Sequence, residues 1–264
     1  MKPAVLLFPL LAALAIVAGC TSQVDDIQVP DLSSPMDELP VGVFVGRTTF
    51  QSTPAEVAGT ALIAPGGRMT VIGDQGEFLA SGLYQTVGSG INAQLRFHLP
   101  NLRGADGQPL TPPTTGDFIG TFMAQDSFTG TYVRNDGEAG SMNFVYDVQS
   151  ATPADLANLV GTWATPDAFG DSIVSFTFVN GGGFSGLDAN GCRYINAEAL
   201  VIDPRYNLYR LNFSRSCVGD VNAVVFTGLM TVVTRSGAGR SFQQMIFTGS
   251  NSSAAVSFRL TGQN

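Results

Sequence analysis

A chain of 264 residues has room for one or two domains and for a sizeable core. Only 13% of it is charged, 44% is hydrophobic and 31 residues are glycine, a balance that excludes disorder and points to a folded, turn-rich β protein. The formal net charge of −8 supplies no basic stripe to meet phosphate, so nucleic acid is excluded as a partner.

Residues 1–19 open with Lys2, run apolar from Ala4 to Ala18 and end in small residues, the order of an export signal. The apolar run, at about 15 residues, is short for a membrane span, which takes roughly 20. The junction Val17-Ala18-Gly19-Cys20 resembles the lipobox of bacterial lipoproteins. That resemblance implies that Cys20 is acylated and becomes the first residue of the mature chain, so that lipid on Cys20 is the membrane contact. Thr21 and Ser22 follow where the family places an Asp for inner-membrane retention, which implies the outer membrane, on its periplasmic face or at the surface. Residues 20–40 then read as acylated cysteine and tether, because 23–40 is acidic, holds three prolines and lacks strand alternation.

Beyond the tether the chain repeats itself. Ser34-Pro35-Met36-Asp37 leading to Val41-Gly42-Val43-Phe44 returns as Thr152-Pro153-Ala154-Asp155 leading to Val160-Gly161-Thr162-Trp163. Each copy reads as a short helical turn, with Ser34 or Thr152 as N-cap and proline at the first helical position, running into a strand. The first β module is therefore expected at 41–149 and the second at 150–264.

In the first, strands are predicted at 42–50, 57–64, 68–73, 77–85, 91–98, 118–124, 127–134 and 142–148, with a long Pro/Gly loop at 99–116. The second gives 161–165, 172–179, 183–187, 193–202, 206–214, 222–234, 241–249 and 254–261. In the stretch 172–178, Val174, Phe176 and Phe178 alternate with Ile173, Ser175 and Thr177, so one face is buried. About eight short sequential strands per module predict an all-β fold of two antiparallel meanders that close on themselves as small barrels or sandwiches.

With Cys20 assigned to lipid, Cys192 and Cys217 remain in an oxidising compartment, as a disulfide or as free thiols. The even count favours the disulfide, and closing a loop of about 26 residues would stabilise the fold by roughly 3.5 kcal/mol. A metal site would need further ligands, and the single histidine, His98, is far away in sequence.

Gly161-Thr162-Trp163, a meander and then Arg259 in the last strand resemble lipocalins. The resemblance implies a barrel floor closed by Trp163 with Arg259 on its face, a pairing that is worth about 0.5–2 kcal/mol. In the first copy Phe44 takes the place of the tryptophan, and Val145 stands near the position matching the arginine. Residues 172–262 also resemble a module of Gram-negative lipoproteins. The shared residues are Gly182-Gly183-Phe184-Ser185-Gly186, Asp188-Ala189-Asn190-Gly191-Cys192-Arg193-Tyr194, Tyr209-Arg210-Leu211, Cys217 and Gly228-Leu229. This second resemblance implies a disulfide between neighbouring strands and brings no activity with it.

Catalytic chemistry is thinly provided for. The only lysine is Lys2, inside the signal, and no Gly-x-Ser-x-Gly elbow nominates a serine to join His98 in a triad. Asp188-Ala189-Asn190-Gly191 opens like a calcium loop but lacks the later acidic ligands. No cofactor is called for. The expectation is a non-enzymatic, outer-membrane-anchored lipoprotein that binds an envelope protein or polymer through its exterior. The alternative is a lipocalin-like carrier enclosing a small apolar ligand among Phe176, Phe178, Phe184, Tyr194, Phe213 and Phe226, with a cryptic hydrolase around His98 third.

Overall fold

The computed structural model describes residues 38–98, 112–166, 172–237 and 239–263. The export signal, Cys20, most of the tether, the first copy of the helical turn and most of the 99–116 loop lie outside the described residues. The rest is two closed eight-stranded antiparallel barrels in tandem. The first runs β1 (Gly42–Phe50), β2 (Thr53–Ile63), β3 (Arg68–Gly73), β4 (Leu79–Val87), β5 (Gly90–His98), β6 (Thr114–Met123), β7 (Ser127–Arg134) and β8 (Ala139–Tyr146). The second runs β9 (Gly161–Pro166), β10 (Ser172–Phe178), β11 (Gly183–Leu187), β12 (Arg193–Val201), β13 (Tyr209–Ser216), β14 (Val224–Gly237), β15 (Arg240–Ser250) and β16 (Ala255–Gly262). Each strand pairs with its sequence neighbours, and β8 returns to β1 as β16 returns to β9. Closure leaves neither barrel an open edge.

The connector corrects the expected cap. Thr152 ends a 3₁₀ turn at Val148–Ala151 and is not an N-cap. The cap of the next turn, Leu156–Leu159, is Asp155, whose carboxylate accepts from the Ala157 amide. The repeated Val-Gly has a conformational reason: Gly42 and Gly161 hold φ values of 136° and 123°, which L side chains rarely adopt. Both barrels thus begin on the same glycine-dependent bend.

Alternation along each strand sends one set of side chains inward. In the first barrel Phe44, Phe118, Phe128, Tyr132 and Phe144 meet in one core, with Phe128 and Phe144 stacked at 5.0 Å. In the second, Val174, Phe176 and Phe178 point inward with Phe184, Tyr194, Phe213, Phe226 and Phe247.

Some strands do not alternate in burial. Val43, Leu62 and Ala64 of the first barrel pack on Leu208 and Leu229 of the second, while Ile72 and Leu79 pack on Val233, Ile246 and Ala255. These are the outward residues of strands whose other face fills a barrel. Continuous burial along β3 and the second half of β15 follows, because those stretches are covered on both sides. Polar contacts flank the apolar seam: Ser81 meets Ser250 at 2.8 Å, and the side-chain amide of Gln149 donates from Nε2 to the Thr234 carbonyl and accepts at Oε1 from the Thr234 N–H. The two barrels therefore share a buried face as well as a connector.

Candidate functional site

Trp163 lies in the second core, and its indole nitrogen donates to the Leu159 carbonyl at 2.8 Å, tying the strand to the 3₁₀ turn beneath it. Leu156 packs on the same core, and the Tyr209 hydroxyl reaches the Asp155 carbonyl at 3.0 Å. The connector caps that end of the barrel. In the first barrel Phe44 makes edge contacts with Phe128 and Tyr146, both at 5.4 Å.

Arg259 is elsewhere. Gly262 pairs with Trp163, and Arg259, three residues earlier, falls on the opposite face of the strand, outside the barrel. Its guanidinium crosses the seam to the Asp74 carboxylate at 2.5 Å, the Asp74 carbonyl at 3.0 Å and Thr60 Oγ1 at 3.2 Å. The expected stack on Trp163 gives way to a link between barrels. By the same register Tyr146 pairs with Phe44, so the counterpart of Arg259 is Asn143 and not Val145.

Cys192 and Cys217 form a disulfide with Cα atoms 3.9 Å apart, beside the Arg193–Ser216 pair of the β12–β13 ladder. It closes the end of the second barrel opposite Trp163. Just inside lies a buried ion pair: Arg215 donates to Asp188 Oδ2 from Nη2 at 2.5 Å and from Nε at 3.0 Å, with both side chains 2% exposed. Tyr194 donates to the same oxygen at 3.1 Å, and burial pushes its hydroxyl well above the usual phenol range. The other oxygen of Asp188 accepts from the amides of Asn190 and Cys192, the geometry of a turn. Among the described residues, Arg215 Nη1 is buried without a hydrogen-bond partner.

His98 is buried at the end of β5 opposite Leu79, and among the described residues its Nε2 has no hydrogen-bond partner. Burial, and then the nearby Arg96 cation, push its pKa down to about 4, so the ring is neutral near pH 7. Among the described residues no hydrogen bond joins its ring to a serine or an aspartate. Nor do three His, Cys, Asp or Glu side chains gather anywhere among those residues in a way that could hold a metal ion.

The six aromatics that a calyx would offer to a ligand are engaged with one another. Phe176 stands 4.8 Å from Tyr194, Phe178 4.8 Å from Phe184, and Phe213 and Phe226 stack at 5.3 Å. Among the described residues, open space lies along the seam. One cleft of about 300 Å³ is bordered by Ala64, Arg68 and Leu83 of the first barrel and Ile202, Arg210 and Leu229 of the second. Another, of about 330 Å³, exposes Asp74, Arg235, Gln244 and Arg259. Of the exposed apolar side chains, Leu83 borders the first cleft, while Val218 and Val221 are almost fully exposed in the turn after Cys217.

No family model, curated protein or solved structure matches this chain.

Sequence reasoning missed the seam and the buried ion pair. The seam had a signal in the unbroken apolar runs Ala61-Leu62-Ile63-Ala64 and Met245-Ile246-Phe247, which exceed what one buried face requires. Arg215 had a weaker one, a charge in register with inward Leu211 and Phe213.

Proposed function

We propose that this chain is a non-enzymatic lipoprotein, held on the outer membrane by acylated Cys20, which presents two filled barrels for binding through their exterior. The observation that carries this reading is the aromatic filling of both barrels: rings that contact one another leave their interior faces no ligand to hold. Binding then belongs to the outer faces, as in the many folds where function is carried by surface sites on a rigid frame.

The tether and the closed barrels divide the work. Lipid fixes the chain to a surface, and residues 20–40 let the rigid pair reach a partner away from it. Replacing Cys20 with Ser is expected to move the protein from the membrane pellet to the soluble periplasm, and continued sedimentation would overturn the anchor. Native mass spectrometry of the released chain is expected to give the bare mass after desalting. A retained mass that leaves only on denaturation would mean a ligand enclosed in a barrel, and the exterior reading would fall.

A further inference from the structure

Arg68 opens β3 and stands opposite Leu83 on β4, while Arg210 on β13 stands between Leu200 and Leu229. The two guanidiniums come from different barrels and border one cleft, whose apolar side is Ala64, Leu83, Ile202 and Leu229. Among the described residues neither has a hydrogen-bonded or ion-paired carboxylate. On the same face of β12, Glu198 accepts from Asn212. Six other arginines among the described residues pair with a carboxylate: Arg47 with Glu56, Arg134 with Asp136, Arg205 with Asp203, Arg215 with Asp188, Arg235 with Asp147 and Arg259 with Asp74. In a chain with net charge −8, two arginines beside an apolar cleft and without a carboxylate stand out.

We infer that this seam cleft binds an anionic amphiphile, with its acyl chain along Leu83, Ile202 and Leu229 and its carboxylate or phosphate head between Arg68 and Arg210. The inference rests on the exterior-binding reading and names its ligand class. Like charges held near one another repel, and an anion between them turns that repulsion into two charge-assisted hydrogen bonds. The structure carries the mark of that repulsion, since burial first and Arg210 second pull the pKa of Arg68 below its ordinary value. Apolar walls with a few convergent polar groups make a small-molecule site, and about 300 Å³ is the lower end of the usual size range.

The test is calorimetric titration of the full chain with decanoate, decyl phosphate, decanol and inorganic phosphate. One equivalent of decanoate or decyl phosphate is expected to bind, with decanol and inorganic phosphate each at least about tenfold weaker. Preference for decanoate assigns a fatty-acid head, and preference for decyl phosphate a phospholipid head. Arg68→Ala and Arg210→Ala are each expected to weaken binding at least about tenfold, while Arg47→Ala leaves it unchanged. Arg210 is exposed on the second barrel, so its variant keeps the test valid if Arg68→Ala disturbs the fold. Decanol equal to decanoate, inorganic phosphate equal to decyl phosphate, arginine variants that bind as wild type, or no binding at all would each overturn the cleft assignment. The exterior reading is judged separately, by the native mass of the released chain. A cleft that fails while that mass stays bare leaves the exterior reading standing without this ligand.

Discussion

The two barrels share eight strands, a glycine-dependent first bend and an aromatic interior, yet among the described residues only the second is reinforced at both ends. Its lower end is capped by Trp163 and the Leu156–Leu159 turn, and its upper end by the Cys192–Cys217 disulfide over the Arg215–Asp188 pair. The described part of the first barrel relies on packing: Tyr132 reaches the Thr49 carbonyl at 2.8 Å, and Arg134 lies 5.5 Å over the Phe97 ring. Closure of the sheet is thus enough to specify the fold, while the added devices set how firmly one copy holds. Trp163 is the chain's only tryptophan and lies in the reinforced barrel, so its fluorescence reports that barrel alone, while the tyrosines, Tyr84, Tyr132 and Tyr146 in the first module and Tyr194, Tyr206 and Tyr209 in the second, report both.

The largest break in that contrast comes from the buried charge. Asp188→Ala leaves the Arg215 guanidinium buried without its counter-charge, beside the Tyr194 hydroxyl alone, which costs about 3–5 kcal/mol. Denaturant unfolding followed at Trp163 is expected to show the loss; a change below about 1 kcal/mol would mean that water reaches Arg215 and that the pair is not a reinforcement. Replacing Cys192 and Cys217 together with Ser is expected to cost about 3.5 kcal/mol in the same signal. Because the Cys192 amide donates to Asp188, the two losses are expected to be non-additive, and strictly additive values would separate the disulfide from the ion pair.

The contrast also shows what the sequence could and could not say. All sixteen strands were legible, since period-two burial and glycine turns mark them locally, and the structure extends β2 back to Thr53 and β6 to Thr114. Trp163 was legible as an anchor. Arg259 was not, because an odd offset from Gly262 reverses its face, and that parity depends on the pairing register and not on the spacing of a motif. Arg68 and Arg210 lie in different modules, and only docking of the barrels brings them to one cleft.

The first barrel has its own weak point at His98. Its pKa near 4 lies below the ordinary 6.5, so between these values the unfolded chain binds more protons than the folded one. Stability from this group is complete above about pH 6.5 and declines as pH falls towards 4, by up to about 3 kcal/mol. His98→Gln is expected to remove that part of the slope in tyrosine-detected unfolding, and an unchanged slope would mean that the ring is protonated freely in the fold.

The smallest expected effect tests whether the barrels can be compared as separate objects at all. Arg259 bonds Asp74 across the seam, but Asp74 is about half exposed, and an ion pair so open to water contributes only about 0–1 kcal/mol. The apolar contacts beside it, Ile72 and Leu79 on Val233 and Ile246, are fully buried and hold far more of the joint. Arg259→Ala should therefore shift unfolding by no more than about 1 kcal/mol and leave the tryptophan and tyrosine transitions superimposed. Separation of the two transitions in this variant would make the single ion pair the coupling element. In that case the reinforcement of the second barrel could not support the first, because stability passes from one barrel to the other only through contacts that survive until both unfold.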